Sequence, residues 1–119
     1  MAQETILLVE DEPAVRQLFA TALTRAGYKV HEARNGEEAI KLFDQHKDSI
    51  DLLLTDMRMP YMGGAELAKQ LRDRNKELKL ICISGYPGSV QTDKATDFLA
   101  KPFSRDEMLK KVRDVLDRS

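Results

Sequence analysis

Residues 50–64 read Ile50-Asp51-Leu52-Leu53-Leu54-Thr55-Asp56-Met57-Arg58-Met59-Pro60-Tyr61-Met62-Gly63-Gly64, and their pattern decides the fold. Leu52, Leu53 and Leu54 form an unbroken apolar run, as expected of a central strand buried on both faces. The run ends at Thr55-Asp56, so a carboxylate stands where the strand leaves the sheet. Met59-Pro60 forbids an immediate helix, because the residue before proline is pushed out of the α region. Gly63-Gly64 then breaks the chain before the next periodic segment. One acid is thus held at a rigid strand end beneath a loop. In open α/β sheets the crevice beyond the carboxyl ends of the strands is where ligands bind. Asp56 is the candidate reacting residue.

Upstream, Thr5 to Val9 is an apolar strand that runs directly into Glu10-Asp11-Glu12. Pro13 suits the first turn of a helix. Val15, Leu18, Phe19, Ala22, Leu23 and Ala26 follow at the spacing of a buried helical stripe, and Gly27 is placed to stop it. Tyr28 to Ala33 reads as a second strand. Asn35 reads as the cap of a second helix, with Glu38 three positions on. Downstream of the central strand, predicted at Leu52 to Thr55, Ala65, Leu67, Ala68 and Leu71 mark a third helix. Leu78 to Ser84 is a fourth strand and Phe98 to Ala100 a fifth, followed by Lys101-Pro102. Ser104 caps the last helix with Glu107 at the capping-box position, and Met108, Val112, Val115 and Leu116 form its buried stripe.

Strands and helices that alternate in this way imply a parallel sheet with helices on both faces. The connection from Gly85 to Asp97 is near the minimum of about a dozen residues for a parallel crossover. Its helical propensity is modest and its apolar stripe slight, so a short or missing fourth helix is expected.

The 119 residues fit one domain, 1–119, with 42% hydrophobic and 33% charged residues. Twenty acids against nineteen bases leave a net charge of −1, without the basic excess of a nucleic-acid-binding surface. The single Cys82 sits in an apolar run and reads as a core residue; no intrachain disulfide is possible. No apolar stretch is long enough to span a bilayer and Met1 to Thr5 is no signal-peptide start, so the expected location is the cytoplasm.

The strand ends carry the chemistry: Glu10 and Asp11 after the first, Asp56 after the third, Ser84 after the fourth, Lys101 after the fifth. Like charges about 4 Å apart cost about 1 kcal/mol in water and about 4 at an effective dielectric of 20. A hard divalent cation removes that penalty, and oxygen-only ligands favour Mg²⁺. Taken alone, Glu10-Asp11-Glu12 could equally decorate a helix N-terminus. Lys101 could pair with Asp56 or serve as a surface cation, and Ser84 could donate to a phosphoryl oxygen or cap a loop.

The set resembles the receiver domain of bacterial two-component response regulators, and the likeness runs over essentially the whole chain. Val9-Glu10-Asp11-Glu12 is similar to that family's acidic metal-binding pair, and Thr55-Asp56-Met57-Arg58-Met59-Pro60 to its phosphoacceptor stretch. Ser84-Gly85-Tyr86 is similar to its hydroxyl switch and Lys101-Pro102-Phe103 to its lysine-proline pair. The resemblance implies a flavodoxin-like (βα)5 fold with strand order 2-1-3-4-5. It implies transfer from a phosphohistidine on a sensor histidine kinase, or from a phosphotransfer protein, to Asp56. Mg²⁺ would be held by Glu10, Asp11, Asp56 and the Arg58 backbone carbonyl, and later hydrolysis would reset the switch. Ser84 would move toward the phosphoryl group and Phe98 would turn inward, although Phe98 also reads as a plain core aromatic. Such a domain catalyses its own phosphorylation and dephosphorylation without being a turnover enzyme. Two features depart from the pattern: Glu10 stands where aspartate is frequent, and the fourth helix is about a turn short. The wording of Leu52 to Asp56 and of Ile83 to Tyr86 resembles receivers of hybrid sensor kinases, so either a free or an excised receiver fits.

Two other classes compete. A Mg²⁺-dependent phosphohydrolase built on a strand-end aspartate needs a second acid two residues on, where this chain has Arg58. An unphosphorylated receiver-like interaction module would retain partner binding after Asp56→Asn. His31 and His46 have no cysteine or acid at ligand spacing, which argues against zinc.

Overall fold

The fold was obtained as a computed structural model, which describes residues 3–46, 49–57, 62–84, 96–100 and 103–117, apart from the side chains of Ser84 and Thr96. Five strands, β1 (Thr5–Val9), β2 (Lys29–Ala33), β3 (Leu52–Asp56), β4 (Lys79–Ser84) and β5 (Thr96–Ala100), form one sheet in the order β2-β1-β3-β4-β5. Every neighbouring pair is parallel. The described helices are α1 (Pro13–Arg25), α2 (Gly36–His46), α3 (Gly64–Arg74) and α4 (Arg105–Leu116). The expected short or missing helix falls in 85–95, outside the described residues.

Alternation along the strands builds two cores. Ile6, Leu8, Leu52, Leu54, Ile81 and Ile83 face α1 and α4, where Leu23, Met108, Val112 and Val115 meet them. Leu7, Val9, Leu53 and Leu80 face α2 and α3, packing on Phe43, Leu67 and Leu71. The three leucines of β3 are therefore split between the faces, and all three are wholly buried. Cys82 is buried, as read from its apolar run.

The caps follow the sequence closely. Ser104 Oγ accepts from the Glu107 amide at 3.1 Å while Glu107 Oε1 accepts from the Ser104 amide at 3.1 Å. Asn35 Oδ1 accepts from the Glu38 amide at 2.8 Å, whereas Glu38 reaches back to the Arg34 amide instead of that of Asn35. Gly27, with φ of +102°, takes the left-handed turn after α1.

Several boundaries and one stripe differ from expectation. Tyr28 is still bonded through its amide to Leu23 O, so β2 starts one residue later. β3 includes Asp56, which pairs with Ile83, and β5 reaches back to Thr96. Ladder hydrogen bonds need no apolar side chain, so pairing outlasts the apolar run. Leu18 is 67% exposed and Ala26 is exposed as well, in contrast to the predicted stripe of α1. Leu18 lies about 140° around the helix from fully buried Leu23, over a groove shared with Arg105 and Leu109. Ala20, not in that stripe, is buried in its place. Ala65, predicted as a marker of the third helix, is exposed on α3.

His31 and His46, 15 positions apart in sequence, stack with ring centroids 4.3 Å apart and planes 14° off parallel. His31 Nε2 is buried without a hydrogen-bond partner. Burial, then the neighbouring charges of His46 and Lys29, holds the His31 imidazole below its usual value of 6.5. The unfolded chain then takes up a proton more readily than the fold does. Folding stability is therefore full above about pH 6.5 and is lost as pH falls through the lower folded-state value. His31→Gln should flatten that slope in urea denaturation measured from about pH 7 to pH 5. Ser104→Ala should cost about 1 kcal/mol in the same assay through loss of the cap.

Candidate functional site

The strand order reverses at β1, which has β2 on one side and β3 on the other, so the crevice lies between the ends of β1 and β3. Val9 is opposite Thr55 in that ladder, which puts Glu10 level with Asp56 one step further on. The helix α1 begins immediately at Pro13, so the acidic turn cannot continue away from the sheet. Carboxylate oxygens of Glu10, Asp11 and Asp56 consequently lie within 4.8 Å of one another. Glu10 is 2% exposed and Asp56 7%, while Asp11 is half-buried.

The backbone around these acids is pinned. The Glu10 amide donates to Ala33 O at 3.0 Å, and Arg16 Nη1 donates to Glu10 O at 2.8 Å. On the other side the Met57 amide donates to Ile83 O at 3.0 Å, and the Gly64 amide to Met57 O at 3.2 Å. Arg16 is not singled out by its sequence context; its signal is its place one turn into a helix that starts beside an acidic strand end. Nor did the sequence identify Gly64 as more than a loop break.

Glu10 Oε1 accepts from the Glu12 amide at 3.2 Å, and Glu10 Oε2 is buried without a hydrogen-bond partner. A buried carboxylate oxygen without a donor, facing two further carboxylates, is a poor arrangement for the protein alone. It suits a hard cation that takes oxygen ligands. Among the described residues no other three His, Cys, Asp or Glu side chains converge in this way. The His31–His46 pair lacks a third ligand there, in keeping with the sequence argument against zinc.

Ser84 ends β4, paired with Ala100, one residue beyond the Ile83 that pairs with Asp56. The backbone of Ser84 is thus at the same edge of the sheet as Asp56. Phe98 is half-buried on β5, on the opposite face from Leu99. Arg58, Lys101, Pro102, Gly85 and Tyr86 lie outside the described residues. The sheet edge thus gathers Glu10, Asp11, Asp56 and the Ser84 backbone.

Burial first, and the Asp56 charge second, push the Glu10 carboxyl up from 4.5 to about 8. In the metal-free protein the fold therefore binds a proton that the unfolded chain has released. The resulting stabilisation is full below about pH 4.5 and is lost as pH rises through about 8. Glu10→Gln should remove this loss, giving a metal-free protein with a higher melting temperature than wild type at pH 8 and a smaller difference at pH 5, read by calorimetry in a chelator.

The model of the response regulator receiver domain matches residues 6–113. The chain is 37% identical over 119 residues to sensor kinase CckA of Brucella abortus (strain 2308), a match that covers 96% of this chain and 13% of that protein. The crystal structure of the receiver domain from hybrid histidine kinase CckA superposes with a TM-score of 0.85 at 36% identity, covering 95% of this chain and 99% of that one. The response regulator TrrA of Thermotoga maritima, solved in complex with Mg(2+)-BeF, gives a TM-score of 0.85 at 34% identity with the same coverage. The chain spans about an eighth of the curated sensor kinase that it matches. The expected flavodoxin-like sheet order is the observed one, and no helix among the described residues is long and apolar enough to cross a membrane. The chain belongs to the response regulator receiver domain family, the phosphoacceptor domains of two-component systems.

Proposed function

We propose that Asp56 is the phosphoacceptor of this receiver and that the donor is a phosphohistidine on a sensor histidine kinase or a phosphotransfer protein. The observation that carries this reading is the convergence of Glu10, Asp11 and Asp56 within 4.8 Å at the reversal point of the sheet. Glu10, Asp11, Asp56 and the Arg58 carbonyl would hold Mg²⁺, which when bound supplies positive charge against the phosphoryl oxygens. The buried, unpartnered Glu10 Oε2 supports that fit.

An Asp56 carboxylate oxygen attacks phosphorus in line, a P–O bond forms and the P–N bond to imidazole breaks. The departing imidazole takes up a proton. Such transfer is mainly positioning and electrostatics, which a strand-end carboxylate on a doubly covered sheet provides. Lys101 and the Ser84 hydroxyl would then engage the phosphoryl oxygens from the ends of β5 and β4. Drawing Ser84 toward Asp56 shifts the end of β4 against β5 and lets Phe98 turn inward, a two-state response to a local charge change. Water later cleaves the acyl phosphate, which releases inorganic phosphate and restores the carboxylate. The domain, spanning 1–119, acts as a cytoplasmic switch and not as a turnover enzyme on an external substrate.

Incubation with acetyl phosphate, with and without Mg²⁺, followed by intact mass measurement tests this reading. Wild type should gain one HPO₃ in a Mg²⁺-dependent way, and Asp56→Asn should gain none. Glu10→Gln and Asp11→Asn should each raise the Mg²⁺ concentration for half-maximal labelling by about tenfold or more. If neither acetyl phosphate nor a kinase phosphohistidine labels the wild type, the switch is wrong and the interaction module replaces it.

A further inference from the structure

The first turn of α3 abuts the peptide that follows the candidate acceptor. A Cβ built on buried Gly64 would lie 2.6 Å from the Asp56 carbonyl oxygen, 3.0 Å from Met57 Cα and 3.1 Å from Met57 Sδ. The first two are backbone atoms and cannot rotate aside. Met57 itself is held by two backbone hydrogen bonds, its amide donating to Ile83 O on β4 and its carbonyl accepting from the Gly64 amide of α3. It is clamped between a strand and a helix, and only a residue without a side chain at position 64 lets the clamp close.

A second close approach supports the same loop end. A Cβ on Gly36, the buried first residue of α2, would lie 2.6 Å from Met62 Sδ and 3.0 Å from Met62 Cγ and Cβ. Met62 precedes the Gly63 cap of α3, so the N-termini of α2 and α3 are braced through one thioether side chain. The steric seat therefore has two parts, one against backbone and one against a flexible side chain.

We propose that Gly64, braced by the Gly36–Met62 contact, is a positioning residue for the phosphoacceptor, setting where the Asp56 carboxylate stands relative to Glu10 and Asp11. This inference rests on the reading of Asp56 as the acceptor. A cation such as Mg²⁺ demands near-ideal octahedral geometry, so a shift of a few tenths of an ångström in one carboxylate is costly. In-line transfer is similarly sensitive, since misplacement by about 1 Å costs about a hundredfold in rate.

The test compares wild type with Gly64→Ala, Gly36→Ala, the double variant Gly36→Ala/Met62→Ala, and Leu71→Ala as a cavity control in the same helix. Each is measured for Mg²⁺ affinity by calorimetry with the ion alone, for the maximal rate and half-saturating concentration of acetyl phosphate, and for melting temperature. Gly64→Ala should weaken Mg²⁺ binding and lower the maximal rate by about tenfold or more, with half-saturation within about twofold. Leu71→Ala should lower the melting temperature at least as much while leaving affinity and rate within about twofold, because its cavity is remote from the carboxylates. Gly36→Ala should show a smaller loss, recovered in part by the added Met62→Ala, which removes the overlap with Sδ and Cγ but leaves the Cβ contact at 3.0 Å and gives up the thioether brace. Wild-type affinity and rate in Gly64→Ala would overturn the proposal, as would equal losses in Leu71→Ala at a matched melting temperature. Should Gly64→Ala fail to fold, the Gly36 series decides: loss with partial recovery in the double variant supports the seat, and no loss or no recovery refutes it. A wild type that binds Mg²⁺ but takes no phosphoryl group refutes the acceptor role, and the Mg²⁺ measurements still decide what Gly64 does.

Discussion

Three carboxylates held together at a half-dry strand end repel one another, and the rest of the structure has to withstand that repulsion. Glu10 is the severest case, since its buried Oε2 has no donor and burial raises its proton affinity. Neither Glu10 nor Asp56 can swing away, because each belongs to or directly follows a strand whose register is set by the core on both faces. The energy that keeps the acids together comes from Leu7, Leu8, Leu53, Leu54 and their partners, well below the site.

The same constraint makes the domain responsive. An acidic cluster that is unfavourable alone is relieved by a cation, and on the proposed reading its balance changes again when a phosphoryl group joins Asp56. Because Asp56 pairs with Ile83 and Ser84 with Ala100, a change at Asp56 is one residue away from the β4–β5 edge. Met57, the residue after Asp56, is tied to both β4 and α3, so local charge and scaffold geometry are mechanically linked.

Much of this was legible in the linear chain because it rests on local rules. Apolar runs located the strands, the Ser104–Glu107 and Asn35–Glu38 pairs located helix starts, and acids at run ends marked the sheet edge where Glu10, Asp11 and Asp56 meet. Misjudgements came where a local pattern was asked to report a packing outcome. Leu18 fits a helical stripe, yet α1 meets the sheet through Ala20, Ala22 and Leu23, leaving Leu18 at the rim. His31 and His46 have no ligand-like spacing, and their stacking exists only because α2 folds back over β2. Arg16 and Gly64 carry no signature, since their importance lies in what approaches them.

By itself, then, the sequence determined the alternation of strands and helices, the residues that end each strand, and through its resemblance the class of chemistry, since propensity, periodicity and capping act over a few neighbouring residues. Tertiary structure alone decided the 4.8 Å meeting of Glu10, Asp11 and Asp56, the orphaned oxygen on Glu10, the face each helix buries and the clearance that demands glycine at position 64. Those properties are distances between segments far apart in the chain. They are set when register, sheet twist and side-chain volume are satisfied together, and no stretch of sequence holds them alone.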